Sequence, residues 1–128
     1  MQNKKTIGIT GAGGSLGKAL TKKFSSNGYK IIGFTHNKNR QERVEGGAHE
    51  WVYWECGKEF LLENSLKKID ILILNHGIYE SEFEQDLERS IEINASSKLK
   101  ILRLFEKISL LQSIDSPPKE IWINTSEA

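Results

Sequence analysis

Cysteine is nearly absent: Cys56 is the only one in 128 residues. No intrachain disulfide can form, and the expected compartment is reducing and intracellular, that is, cytoplasmic. A dominant charge sign is also missing. Lysine and arginine number 18 against 17 aspartates and glutamates, a net charge of +1, which gives no electrostatic reason to expect DNA, RNA or an acidic membrane as partner. Long apolar runs are missing too. The richest, Ile71-Leu72-Ile73-Leu74, is strand-sized, whereas a membrane helix needs about 20 apolar residues. The N-terminus Met1-Gln2-Asn3-Lys4-Lys5 is basic, but Gly8 and Gly11 interrupt the apolar residues behind it, unlike a signal peptide. His36, His49 and His76 share neither metal-ligand spacing nor a helix face, so no metal site is expected. There is no internal repeat and no low-complexity tract.

What is present is the composition of an ordinary globule, 38% apolar and 27% charged, over a length that suits one domain spanning residues 1–128. Strand patterns at residues 5–10, 30–35, 50–54, 70–74 and 120–124 alternate with helical patterns at 16–26, 59–67 and 81–111. Asn27-Gly28 is a helix stop. Residues 36–47 read as a loop, and Pro117-Pro118 closes the break after the long helix. Strands that alternate with helices imply parallel pairing and helices on both faces: a three-layer, doubly wound α/β sheet in the order 3-2-1-4-5. Ile7, Ile9, Ala19, Leu20, Ile31, Ile71, Ile73, Leu102 and Ile123 are the expected core.

The most informative stretch is Thr10-Gly11-Ala12-Gly13-Gly14-Ser15-Leu16-Gly17. It follows a predicted strand and opens a predicted helix, the context in which a glycine fingerprint binds a dinucleotide. Gly11 permits a tight turn, Gly14 lets backbone approach a pyrophosphate, and Gly17 lets the helix pack close to the sheet. The helix N-terminus then offers unpaired N–H groups to the phosphates. About 20 residues on, where NAD sites carry Asp or Glu, stands Thr35-His36-Asn37-Lys38-Asn39-Arg40. It has no carboxylate, and its hydroxyl, amide and cationic groups can receive a 2′-phosphate, so NADP is favoured over NAD.

These features resemble the short-chain dehydrogenase/reductase family, whose signature is Thr-Gly-x-x-x-Gly-x-Gly with a later Asn-Asn-Ala-Gly. Ser15 stands at the middle glycine, and Gly11, Gly14 and Gly17 fit instead the Thr-Gly-x-x-Gly-x-x-Gly spacing of the extended branch. The second motif appears as Asn75-His76-Gly77, one residue shorter than usual. The resemblance implies a Rossmann fold in which that turn supports the sheet and lines the adenosine side of the cofactor. It implies that Glu55 lies near the adenine amino group and that Asn94 helps hold a water in a proton relay. Aligning Asn124 with the family's strand asparagine puts Ser126 on the first serine of the usual pair and Glu127 on the second, which orients a substrate carbonyl; Ser126, the nearby hydroxyl of the right type, is named for that role. Cys56 is expected to be a spectator, because no motif places a histidine base beside it.

The family's Tyr-x-x-x-Lys lies about a dozen residues beyond that serine, and none of Tyr29, Tyr53 and Tyr79 has a lysine four residues later. The expectation is a cofactor-binding half, truncated before a sixth strand. The ending Ile123-Asn124-Thr125-Ser126-Glu127-Ala128 also resembles the dehydrogenase part of fused sterol desaturase/short-chain dehydrogenase proteins. The functional expectation is an NADP-dependent oxidoreductase acting on a small carbonyl or alcohol. The alternative is a non-catalytic NADP-binding regulatory module. Leu99, Ile101, Leu102, Leu104, Phe105, Ile108, Leu110 and Leu111 cover more of the long helix than one sheet contact needs, so a homodimer through that helix is expected.

Overall fold

In a computed structural model that describes residues 5–36, 48–76, 95–112 and 115–123, five short strands build one parallel sheet. The elements are β1 (Thr6–Thr10), α1 (Ser15–Ser26), β2 (Lys30–Thr35), β3 (Glu50–Tyr53), a 3₁₀ turn (Glu59–Leu62) that runs into α2 (Glu63–Lys67), β4 (Ile71–Leu74), α3 (Ser97–Leu111) and β5 (Glu120–Ile123). The spatial order is β3-β2-β1-β4-β5, as the alternation of strands and helices implied. Ile7 of β1 pairs with Ile31 of β2 on one side and with Ile71 of β4 on the other.

Strand periodicity of two sorts the apolar residues into two cores. Ile7, Ile9, Ile31, Ile71 and Ile73 face α1, where Leu20 and Phe24 pack on them. Ile32, Phe34, Leu72 and Leu74 face the other layer, with Leu62 and Leu66 and with Ile101, Phe105 and Ile108 of α3. β4 is buried at every residue, which explains its unbroken apolar run.

The expected core needs four corrections. Ala19 is exposed, because α1 turns Gly17, Leu20, Thr21 and Phe24 toward the sheet and Ala19 away from it. Leu20 and Leu102 are only partly buried, at the rims of the two cores. Ile123 is 52% exposed, because β5 is an edge strand with β4 as its single neighbour. The long helical stretch is described only from residue 95 onward. Of its apolar residues, Leu99, Leu110 and Leu111 remain exposed, a smaller surface than the sequence suggested.

Candidate functional site

β1 ends inside the protein at Thr10, which is fully buried. The chain then reverses at Gly11 with φ +66°, and a Cβ there would stand 2.9 Å from the His76 Cα. Glycine is therefore required by both conformation and space. The turn is tied to β2 by the Ala12 N–H, which donates to the Phe34 carbonyl at 3.3 Å, and closed by the Gly14 N–H on the Gly11 carbonyl at 3.1 Å. Gly17 is packed against the turn: a Cβ there would lie 2.7 Å from the Ala12 Cα.

Gly14 differs from these two. Among the described residues, a Cβ there would meet only the Gly11 carbonyl oxygen, at an ordinary 3.6 Å. Gly14 caps α1 with extended backbone, no side chain caps the helix, and its first turn has no acidic residue. The first-turn N–H groups thus lack intrahelical partners, and the turn itself carries no carboxylate to compete for them, beside a surface that a phosphate can approach closely. Gly13 is buried in the turn, while Ser15 and Leu16 are exposed beside it. A dinucleotide pyrophosphate fits this cradle.

The C-terminal ends of β2 and β3 lie alongside. Thr35 is buried, and His36 is exposed with its ring 3.9 Å from that of Trp54. The His36 Nδ1–H donates to the Trp54 carbonyl at 2.9 Å, and Nε2 lies 3.6 Å from the Cys56 Sγ. The sequence reading found no histidine beside Cys56. Parallel pairing of β2 with β3 puts the residues just past their ends side by side, and this neighbour relation was the missing signal. Glu55 is exposed on the same edge, accepts from the Tyr53 hydroxyl at 3.1 Å and pairs with Lys58 at 3.5 Å. Asn37, Lys38, Arg40, Gly77, Asn94 and Ser126 lie outside the described residues.

At the end of β4, the Thr10 Oγ1 accepts the backbone N–H groups of Asn75 (2.8 Å) and His76 (3.1 Å). Asn75 Nδ2 reaches the Gly11 carbonyl at 3.5 Å. The His76 ring is buried, with Nδ1 2.8 Å from the Thr10 Oγ1 and Nε2 3.1 Å from the Ser97 Oγ. The Ser97 hydroxyl donates to Glu59 Oε2 at 2.8 Å, and the Gly57 N–H donates to both Glu59 oxygens, at 3.0 and 3.1 Å. Desolvation, with the nearby charges of Lys98 and His36, lowers the His76 pKa to about 3, so its imidazole is neutral. Sequence reasoning named Thr10, Asn75 and His76, and the structure brings them together. It missed Ser97 and Glu59. Glu59 shares the helical spacing of Leu62 and Leu66, so its place on an apolar face was the available signal.

A parallel sheet ordered 3-2-1-4-5, with a glycine turn feeding a helix at the reversal between β1 and β4, defines a dinucleotide-binding fold of the Rossmann class. Residues 7–114 match the model of the NAD dependent epimerase/dehydratase family, and the chain belongs to that family. It is 34% identical over 131 residues to the monoglucosyldiacylglycerol epimerase of Synechocystis sp., a match over 97% of this chain and 31% of that protein. The chain thus spans about a third of that relative's length. Solved structures share the fold at low identity. Serine dehydrogenase from Escherichia coli superposes with TM-score 0.69 and 19% identity over 82% of this chain and 56% of its own. A short chain dehydrogenase from Leptospira borgpetersenii with bound NAD+ gives 0.66 and 21%, over 83% and 46%. The resemblance to short-chain dehydrogenases is borne out. Among the described residues no helix is long and apolar enough to cross a membrane, and no three metal-ligating side chains cluster.

Proposed function

We propose that these residues form the cofactor-binding half of an enzyme that moves hydride between a nicotinamide dinucleotide and a carbinol carbon of its substrate. The observation that carries this reading is the open face at Gly14, beside unpaired helix N–H groups and framed by two glycines that packing forbids to change. The bound dinucleotide supplies the hydride acceptor and donor. The chain's own part is to hold the pyrophosphate at residues 11–17 and the adenosine at the strand ends near His36, Glu55, Asn75 and His76. Lys38 and Arg40, in a stretch without carboxylates, support NADP over NAD. Asn94 and Ser126 are the residues we assign to the proton relay and to the substrate carbonyl.

The name of the Synechocystis relative supports an epimerase acting on the sugar of a glycolipid. A bound nicotinamide would supply such a reaction with a reversible hydride acceptor: a ring carbinol would give up its C–H hydride and its O–H proton, and the hydride would return to the opposite face of the carbon and the proton to oxygen, with no net oxidation. A non-catalytic binding module is the second reading. Calorimetric titration of NADPH and NADH tests the common ground: saturable 1:1 binding, tighter for NADPH, is expected. Tighter NADH binding removes the NADP preference, and binding of neither removes the proposal.

A further inference from the structure

The buried side chains between β1 and the 3₁₀ turn form one continuous line of hydrogen bonds. Its direction can be read from the proton inventory of each group. Glu59 accepts from the Gly57 N–H and from the Ser97 hydroxyl. With its one proton spent on Glu59, the Ser97 oxygen accepts from His76 Nε2–H. A neutral imidazole protonated at Nε2 presents a bare Nδ1, which at 2.8 Å takes the Thr10 hydroxyl proton ahead of the Ile73 carbonyl at 3.4 Å. Thr10 in turn accepts two backbone N–H groups at the end of β4. Every member is at most 3% exposed.

The two ends of the line sit on two turns, one after β1 and one before the 3₁₀ turn. Thr10 precedes Gly11, the first residue of the pyrophosphate turn, whose backbone rests on the His76 Cα. Gly57, with φ +96°, lies in the turn over residues 55–58, which is closed by the Lys58 N–H on the Glu55 carbonyl and carries Glu55 and Cys56 at the adenosine edge. A buried carboxylate with no cation against it among the described residues is a poor source of stability, since apolar side chains of similar volume fill such space more favourably. What a fully satisfied polar line does supply is a unique geometry.

We propose that the line Thr10–His76–Ser97–Glu59 is a positioning device that sets the pyrophosphate turn against the adenosine-side turn, so that Ser97 and Glu59 control dinucleotide affinity without touching the dinucleotide. The inference rests on the dinucleotide reading above. The groups that face His76 are Lys98 of α3, His36 past β2 and, beyond Ser97, Glu59 of the 3₁₀ turn. Protonation of the ring would remove the Nδ1 acceptor and break the line at Thr10, and Lys98 and His36 both act against it.

The test is a double-mutant cycle. NADPH and NADH are titrated into the wild-type chain, Ser97→Ala, Glu59→Leu and the double variant, well below each melting transition and with folding checked by circular dichroism. Each single change is expected to weaken binding roughly three- to thirtyfold. The double variant is expected to bind no worse than the weaker single, because either change cuts the same line. Variants that melt earlier but bind within twofold of wild type overturn the inference and leave the dinucleotide reading standing. Single losses that multiply in the double variant also overturn it. Failure of the wild-type chain to bind overturns both. Side-chain ¹⁵N shifts give a second readout: wild-type His76 is expected as the neutral Nε2–H tautomer, shifting toward a mixture in Ser97→Ala. A wild-type Nδ1–H tautomer contradicts the line.

Discussion

The Thr10 hydroxyl and the His76 imidazole meet at 2.8 Å across 66 residues of sequence, joining the end of β1 to the end of β4 beneath the glycine turn. β1 and β4 are neighbours on either side of the topological reversal, where doubly wound sheets place their ligands. The contact is therefore structural and local to the site at once, and its proton requirement has consequences for stability.

His76 is held neutral in the folded chain, its pKa lowered to about 3 by desolvation and then by Lys98 and His36. The unfolded imidazole titrates near 6.5. Below pH 6.5 the unfolded chain takes up a proton that the folded chain refuses, so this contribution is intact above pH 6.5 and is lost as pH falls toward 3. The slope approaches about 1.4 kcal/mol per pH unit. Urea unfolding of wild type and His76→Gln from pH 8 to pH 4 checks this. The stability difference between them is expected to shrink below pH 6.5 and to stay flat above it.

Gly17 and Gly14 are expected to separate folding from binding. Gly17→Ala drives a Cβ into the Ala12 backbone and is expected to destabilise by about 3 kcal/mol. Gly14→Ala meets only an ordinary contact and is expected to change stability by about 1 kcal/mol or less, since glycine is the better N-cap. Gly14→Val is expected to weaken dinucleotide binding by about tenfold or more with little change in melting temperature. Thermal melts and titrations on the three variants check the contrast.

Much of this was legible in advance, and the reason is short-range. β2 was read as residues 30–35 and forms there, because apolar Ile31, Ile32 and Phe34 are bounded by turn formers. The glycine turn was legible because its spacing encodes its own contacts. The burial of Ala19 was misjudged because helical spacing gives a face but not its width, and Leu20 and Phe24 fill the contact. The His36–Cys56 approach and the Ser97–Glu59 bond were illegible, since each joins residues of separate elements whose juxtaposition only the sheet order creates.

Turnover by the 128 residues alone is expected to be undetectable, because none of their tyrosines is paired with a lysine in the spacing that lowers a phenol's pKa for proton transfer. NADPH oxidation with a carbonyl panel, by protein whose mass confirms its ends, checks this. Steady oxidation would place the acid on another residue.

Association is expected through α3, whose exposed Leu99, Leu110 and Leu111 leave apolar surface uncovered. Light scattering over a concentration series is expected to reach twice the chain mass, and Leu110→Lys with Leu111→Lys is expected to return it to one. A monomer at every concentration contradicts pairing.

Backbone amide shifts recorded as dinucleotide is added locate the site residue by residue. The expected result is saturable change at residues 11–17, at Asn75 and His76, and over residues 55–58, with the exposed face of α1 around Lys22 and Ser26 unmoved. Changes at Gly57 and the outer groove that it lines with Phe60, Lys100, Arg103 and Lys107, with residues 11–17 unmoved, or no saturable change at all, would contradict a dinucleotide held at the glycine turn.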